Sequence, residues 1–210
     1  MGITLSKWKD VIKSPTVRNV TDAVIDRKIV DALEKVSQAL RTLAWKKSVE
    51  QSINPIQLQI LSFLFTHRDD RAKVSLLARE FNISKASISD TIKLLETKGL
   101  IEKIYDESLS KQFVIQLTHE GSTKAAEVSL FDEVLLSGVG KIVPLDKEKL
   151  YFLLSEIILG LHEQEVITHQ RMCKSCKHYR AEGEKHYCSL LQQYMGIPQL
   201  QIDCDEYEKK

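Results

Sequence analysis

Four cysteines stand after residue 172, and the chain has no others: Cys173, Cys176, Cys188 and Cys204. The first two form a C-x2-C turn, which lets two thiolates grip one metal centre from a single loop. Cys188 follows after eleven intervening residues and Cys204 after fifteen more, with Tyr179, Tyr187, Tyr194 and Tyr207 interleaved. Residues 171–210 carry too little apolar surface to fold by burial alone. Four thiolates closing on a metal can supply the missing folding energy. In a reducing compartment, clustered cysteines more often bind metal than pair as disulfides. Free thiols or a disulfide in a loose tail are the plain alternative.

The identity of the metal stays open at this point. Structural zinc ribbons usually carry two C-x2-C turns, and this tail has one. One close pair with two distant cysteines among aromatics is similar to the spacing in high-potential iron-sulfur proteins and small cluster-binding enzyme subunits. That resemblance implies a [4Fe-4S] cluster on four thiolates, the first choice here, with Zn2+ second. His178 and His186 could replace a thiolate around zinc; both are read as bystanders.

The elements that must carry such a tail come before it. Asp26 to Gln51 is expected as one helix, with Ile29, Leu33, Val36, Leu40 and Leu43 at alternating steps of four and three. That heptad seam suits packing against a second subunit. Asn54-Pro55 opens the next helix. Gln57–Phe65 should be the most buried helix, and His67 is expected as an exposed loop residue. Residues 74–100 read as two short helices with Asn82-Ile83-Ser84 as the turn, Ser84 as N-cap and Gly99 as the stop. In the second of them Ile88, Ile92 and Leu95 form a buried stripe, and Lys85, Ser87, Ser89, Asp90, Thr91 and Lys93 face solvent. Short polar side chains at a helix start suit close approach to base edges and phosphates.

After Gly99 the period changes to that of strands, over 100–105 and 112–117, joined by the polar loop 106–111. A helix pair followed directly by this hairpin is a winged helix-turn-helix plan. Thr118 should cap a helix over 119–138. Asp146 should cap another from Lys147 to about Arg171, striped by Leu150, Leu154, Ile157 and Leu161. His162 and His169 on it are read as surface residues. The fold class is therefore mainly α with a small β wing: a winged helix-turn-helix core flanked by long dimerisation helices, plus a small four-cysteine metal-binding tail. The boundaries are 1–25 for an N-terminal arm, 26–53 for the N-terminal dimerisation helix and 54–121 for the winged domain. Residues 122–170 form the C-terminal dimerisation helices and 171–210 the tail.

Five fragments in this order carry a family resemblance: Pro55-Ile56-Gln57-Leu58-Gln59-Ile60-Leu61, Leu77-Ala78-Arg79-Glu80-Phe81, Ser84-Lys85-Ala86-Ser87-Ile88-Ser89, Leu95-Glu96-Thr97-Lys98-Gly99-Leu100-Ile101 and Leu117-Thr118-His119-Glu120-Gly121. Over about residues 26–170 the chain resembles the MarR-type regulators, dimeric winged-helix repressors and activators of bacteria. The resemblance implies a homodimer on double-stranded DNA, with the second helix of the pair in the major groove and the wing in the minor groove. It also implies a small-molecule effector between the dimer helices and the winged core. Two departures are visible. Asp90 stands where the family usually carries Arg, and the wing lacks the D-x-R pattern, Asp106 being followed by Glu107, Ser108, Leu109, Ser110 and Lys111. Lys85, Ser87, Ser89, Asp90 and Lys93 are expected at the groove, and Arg79, Lys103 and Lys111 on phosphates.

Composition limits the alternatives. Net charge is +1, with no global basic field, and residues 67–111 hold nine Lys or Arg against eight Asp or Glu. Nonspecific DNA affinity should be modest and fall with salt. With 43% hydrophobic residues, 8 Gly and 4 Pro, the chain suits a globular, helix-rich protein. No apolar run approaches the ~20 residues that span a bilayer, and no secretory signal is evident, so a cytoplasmic protein is expected. No Gly-rich phosphate loop, Ser-His-Asp set or carboxylate pair argues for an enzyme. The competing reading is a winged-helix protein-interaction module with a structural metal clip and little DNA binding.

Overall fold

The computed structural model describes residues 20–67, 72–105, 113–167, 170–183 and 185–210. Residues 1–19 of the expected arm lie outside them, as do Lys111 and His169. Helix α1 (Val20–Glu50) is longer than expected at its start and takes in residues assigned to the arm. The chain divides into two units, one running through Leu43 and one from Ala44 to Lys210. Along α1, Ile29 is 46% exposed and Val36 42%, so the heptad seam is open. Among the described residues no helix is long and apolar enough to cross a membrane.

In the second unit, α2 (Pro55–Thr66) begins at a capping box. Asn54 accepts from the Gln57 N–H at 2.8 Å, and the Gln57 side chain accepts from the Asn54 N–H at 3.1 Å. Pro55 costs no hydrogen bond here, because the first helical N–H has no partner within the helix. Leu58, Ile60, Leu61 and Leu64 are buried, as expected, but Phe65 at the far end is 47% exposed. Helix α3 (Val74–Glu80) adds Leu77 to the same core, and α4 (Lys85–Thr97) adds Ile88, Ile92 and Leu95. Each such Leu or Ile contributes roughly 1.5–3 kcal/mol by leaving water.

Strands β1 (Ile101–Tyr105) and β2 (Phe113–Leu117) pair antiparallel, Ile101 opposite Leu117 and Tyr105 opposite Phe113. Ile115 closes the sheet's inner face and donates its N–H to the Ala72 carbonyl at 2.7 Å. Helix α5 (His119–Ser129) starts at Thr118, whose hydroxyl accepts from the Gly121 N–H at 2.9 Å. Gly121 is required by packing. A Cβ there would lie 1.7 Å from the Leu100 carbonyl oxygen.

Past α5 the structure departs from expectation. The helix expected over 119–138 breaks at residues 130–132, and α6 (Glu133–Gly140) follows as a separate piece. Helix α7 (Pro144–Glu163) starts at Pro144, where Pro is favoured at the first helical position. Asp146 therefore sits inside the first turn and does not cap. The helix stops at Glu163, well short of Arg171. On α6 and α7, Val134 (71%), Leu136 (59%), Leu150, Leu153 and Ile157 stay exposed.

The tail is a small β unit. Strands β3 (Tyr179–Glu182), β4 (Lys185–Cys188) and β5 (Gln193–Met195) form one antiparallel sheet in sequence order. The C-terminal segment returns beside residues 171–173. Cys173 donates its N–H to Gln201 O at 2.9 Å, and Cys204 donates to Arg171 O at 2.9 Å. Among the described residues of the tail, the buried apolar ones are Met172, Cys176, Met195 and Leu200.

Candidate nucleic-acid interface and cysteine centre

Helix α4 buries Ile88, Ile92 and Leu95 and turns most of its other residues outward, Leu94 among them at 53% exposure. Ser84 caps it, its hydroxyl accepting from the Ser87 N–H at 3.1 Å. Asn82 takes a left-handed φ of +51° in the turn, and Gly99 takes +71° after the helix. Such angles suit an asparagine and a glycine. Lys85, Ser87, Asp90 and Lys93 are exposed, and Ser89 is half-buried. Thr91 corrects the sequence reading. It is 7% exposed and donates its hydroxyl to Ser87 O at 2.8 Å, which places it with the core stripe.

The charges beside this face are partly spoken for. Lys93 and Asp90 pair at 3.3 Å along the exposed face of the helix. Arg79 is exposed near the end of α3. Lys103, expected on a phosphate, is only 16% exposed, pairs with Glu96 and lies 5.4 Å over the Phe113 ring. That placement withdraws it from the outer face. Lys111 lies outside the described residues.

The tail brings all four cysteines to one cavity of about 270 Å³, where Tyr179, Leu190, Leu191 and Met195 join them. Residues Cys173–Ser175 form a 3-10 turn, and Cys176 donates its N–H to Cys173 O at 3.0 Å. Tyr207 closes the matching turn at the other end by donating to Cys204 O at 3.1 Å. The Gln201 N–H donates to Cys173 Sγ at 3.3 Å, as backbone amides do around thiolate-held centres. Tyr179 opposite Cys188 in the β3–β4 register sets the third cysteine. Burial pushes the Cys173 and Cys204 thiols up, and the neighbouring cysteines add to that. Among the described residues no group of three or more His, Cys, Asp or Glu side chains is arranged to hold a single metal ion. His178 lines the cavity but turns Nε2 to Glu208 at 3.1 Å, and His186 meets the Tyr179 hydroxyl at 2.7 Å.

A third cluster was not foreseen. His67 is not a free loop residue. It stacks on Phe63, with centroids 4.1 Å apart at 14°, and its Nε2 lies 2.6 Å from Asp203. Arg171 pairs with the other Asp203 oxygen at 2.6 Å and with Glu80 of α3 at 3.7 Å. The Asp203 hydrogen bond holds the His67 imidazolium above its ordinary range. Burial pushes Glu80 up, against the pull of Arg171. The same burial opposes ionisation of Asp203, yet His67 and Arg171 hold its carboxyl below the usual range. The only sequence signal was the run of charge at 67–71, which gives no hint of a partner 136 residues away.

A helix pair, a capped outward-facing helix and a two-stranded hairpin against it define the class: a winged helix-turn-helix of the kind found in MarR-type transcription regulators. More particularly, a model described as the MarR family matches residues 51–107. The structure of MepR from S. aureus in complex with DNA is similar at a TM-score of 0.55 and 22% identity, over 63% of this chain and 97% of that one. MepR in its DNA-binding conformation gives 0.57 and 22%, over 63% and 98%. A MarR-family transcriptional regulator from Rhodococcus sp. RHA1 gives 0.51 and 17%, over 67% and 97%. No curated protein sequence matches the chain.

Proposed function

We propose that this chain is a sequence-specific DNA-binding transcriptional regulator that acts as a homodimer and responds to the metal or redox state of its tail. The observation that carries the DNA reading is the outward face of α4, where Lys85, Ser87 and Lys93 stand exposed behind a capped N-terminus. The likeness to MepR in complex with DNA supports it. In a major groove those side chains reach base edges while the Ser84 turn meets the backbone. The open seam on α1 and the exposed apolar residues of α6 and α7 support a second copy as partner. Two such copies present two reading helices, whose spacing has to match a helical turn of DNA, about 34 Å. A gel shift tests the placement: Lys85→Ala and Lys93→Ala should each weaken binding, and undiminished binding by both overturns it.

For the tail, a [4Fe-4S] cluster on Cys173, Cys176, Cys188 and Cys204 is the better reading. A single zinc draws four sulfurs to about 2.3 Å from one point. Here all four cysteines line one cavity, together with nine other residues, and the tail has a single C-x2-C turn where zinc ribbons usually have two. Zinc is the second reading, favoured by His178 on the cavity wall. Anaerobically purified protein should be brown, absorbing near about 400 nm as thiolate-bound clusters do. A colourless protein with one zinc per chain reverses the order.

A protein-docking role for the winged core is the other reading, favoured by the pairing of Lys93 with Asp90 and of Lys103 with Glu96. Binding to duplex DNA in dilute buffer separates the two.

A further inference from the structure

The cysteine centre is tied to the rest of its unit from two sides. On the C-x2-C side, Lys174 pairs with Glu156 of α7 and lies 4.1 Å over the Phe152 ring. Tyr151 of the same helix donates its hydroxyl to Leu200 O at 2.5 Å. On the Cys204 side the attachment goes elsewhere. Asp203, the residue before Cys204, takes His67 at the end of α2 on one oxygen and Arg171 on the other. Arg171 continues to Glu80 at the end of α3, the first helix of the reading pair, and its guanidinium lies 5.4 Å over Phe63 of α2. So the C-x2-C turn is tied to α7 through Lys174, the returning segment to the same helix through Leu200, and the residue beside the fourth cysteine to α2 and α3.

We propose that Asp203 is the positioning residue through which loading of the four-cysteine centre reaches the reading helices, by way of His67 on α2 and Arg171 to Glu80 on α3. The inference rests on the metal site proposed above. Four thiolates gathered on one centre fix Cys204 against the C-x2-C turn. Asp203 cannot then move independently of α7. Without the centre, the segment from Gln201 to Cys204 is held by its backbone bonds beside 171–173 and by this ion-pair cluster. On this proposal, gathering the thiols draws Cys204, and with it Asp203, against His67 and Arg171. A side chain that is only 13% exposed, as Arg171 is, has little freedom to absorb such a shift alone. The shift passes to α3, and through the Asn82 turn to α4. Zinc and a cluster would work the link alike, since what matters is whether the thiols are gathered.

The test compares loaded and chelator-stripped protein on a duplex that the protein itself has selected from a random pool. Wild type should differ about tenfold in affinity between the two states, within the usual span of coupling factors. Asp203→Asn and His67→Gln should keep the metal content and absorption spectrum of wild type. Their loaded-to-stripped ratio should fall to within about twofold of unity, the sign of a lost coupling. His67→Gln changes α2 and not the tail itself, and keeps the test decisive if Asp203→Asn fails to load. Metal-replete variants with the full wild-type ratio overturn the link. A wild-type ratio of one overturns the sensing function itself, and a colourless, metal-free wild type overturns the site.

Discussion

His67 Nε2 lies 2.6 Å from Asp203 Oδ2, a bond that joins the end of the most buried helix to the residue beside the last cysteine. The pair has a defined pH signature. The imidazole is held above its ordinary value of 6.5 in the folded state, chiefly by the Asp203 hydrogen bond. Its stabilisation is therefore fully present below pH 6.5 and is lost as pH rises through the raised value. NMR titration should find His67 above 6.5, and Asp203→Asn should bring it down. Melting curves should show wild type losing an advantage over His67→Gln as pH climbs through that window. A His67 titration at or below 6.5 would mean that the pair does not persist in solution.

If the cysteine centre holds the tail as proposed, stripping it should open the β3–β5 sheet and spare both the core and the 201–204 segment bonded beside 171–173. Limited proteolysis of chelator-stripped protein, or of Cys188→Ser, should cut within 171–210 and leave a fragment that melts close to the intact chain. Equal protease resistance with and without metal would show that the tail folds without help.

Substitutions on the two faces of α4 should have opposite signatures. Ile88 is fully buried, so Ile88→Ala should cost about 2–5 kcal/mol in denaturant unfolding. Lys85→Ala should leave the unfolding free energy within roughly 0.5 kcal/mol of wild type while weakening the gel shift.

Gly121→Ala should destabilise by about 1–3 kcal/mol, as overpacking does. The new Cβ meets the Leu100 carbonyl, a backbone atom that cannot step aside. A variant as stable as wild type would show that α5 does not sit this close to β1.

Ile157 and Leu161 are 40% and 37% exposed on α7. The double variant Ile157→Asp, Leu161→Asp should yield a monomer in sedimentation, where wild type should run as a dimer. If the double variant and wild type sediment alike, this stripe is not the subunit contact.

Local signals carried most of the winged core. Asn54-Pro55, Ser84 and Thr118 are caps whose partners lie three residues away. The stripe Ile88, Ile92, Leu95 repeats at helical spacing, and all three are buried. What stayed hidden depends on distant partners or on ambiguous positions. Thr91 sits at the edge of the stripe and is polar, yet its hydroxyl is satisfied by the turn before it. The break at 130–132, Leu-Phe-Asp, holds neither Gly nor Pro, so no sequence punctuation marks it. Lys103 was expected on a phosphate; its pairing with Glu96 of α4 and its place over Phe113 depend on contacts between elements that spacing does not show. For the cysteines, spacing suggested a common metal site; what the structure shows is one cavity that all four line. Spacing could not foretell that the residue before Cys204 reaches back to His67.

The division of labour along α4 has an evolutionary corollary. Ile88, Thr91, Ile92 and Leu95 hold the scaffold, while Lys85, Asp90 and Lys93 bear none of its weight. Duplicated copies of such a chain are free to exchange those outer residues without refashioning the architecture. If that face reads DNA as proposed, descendants with divergent target preferences can arise from one ancestral frame by a handful of codon changes.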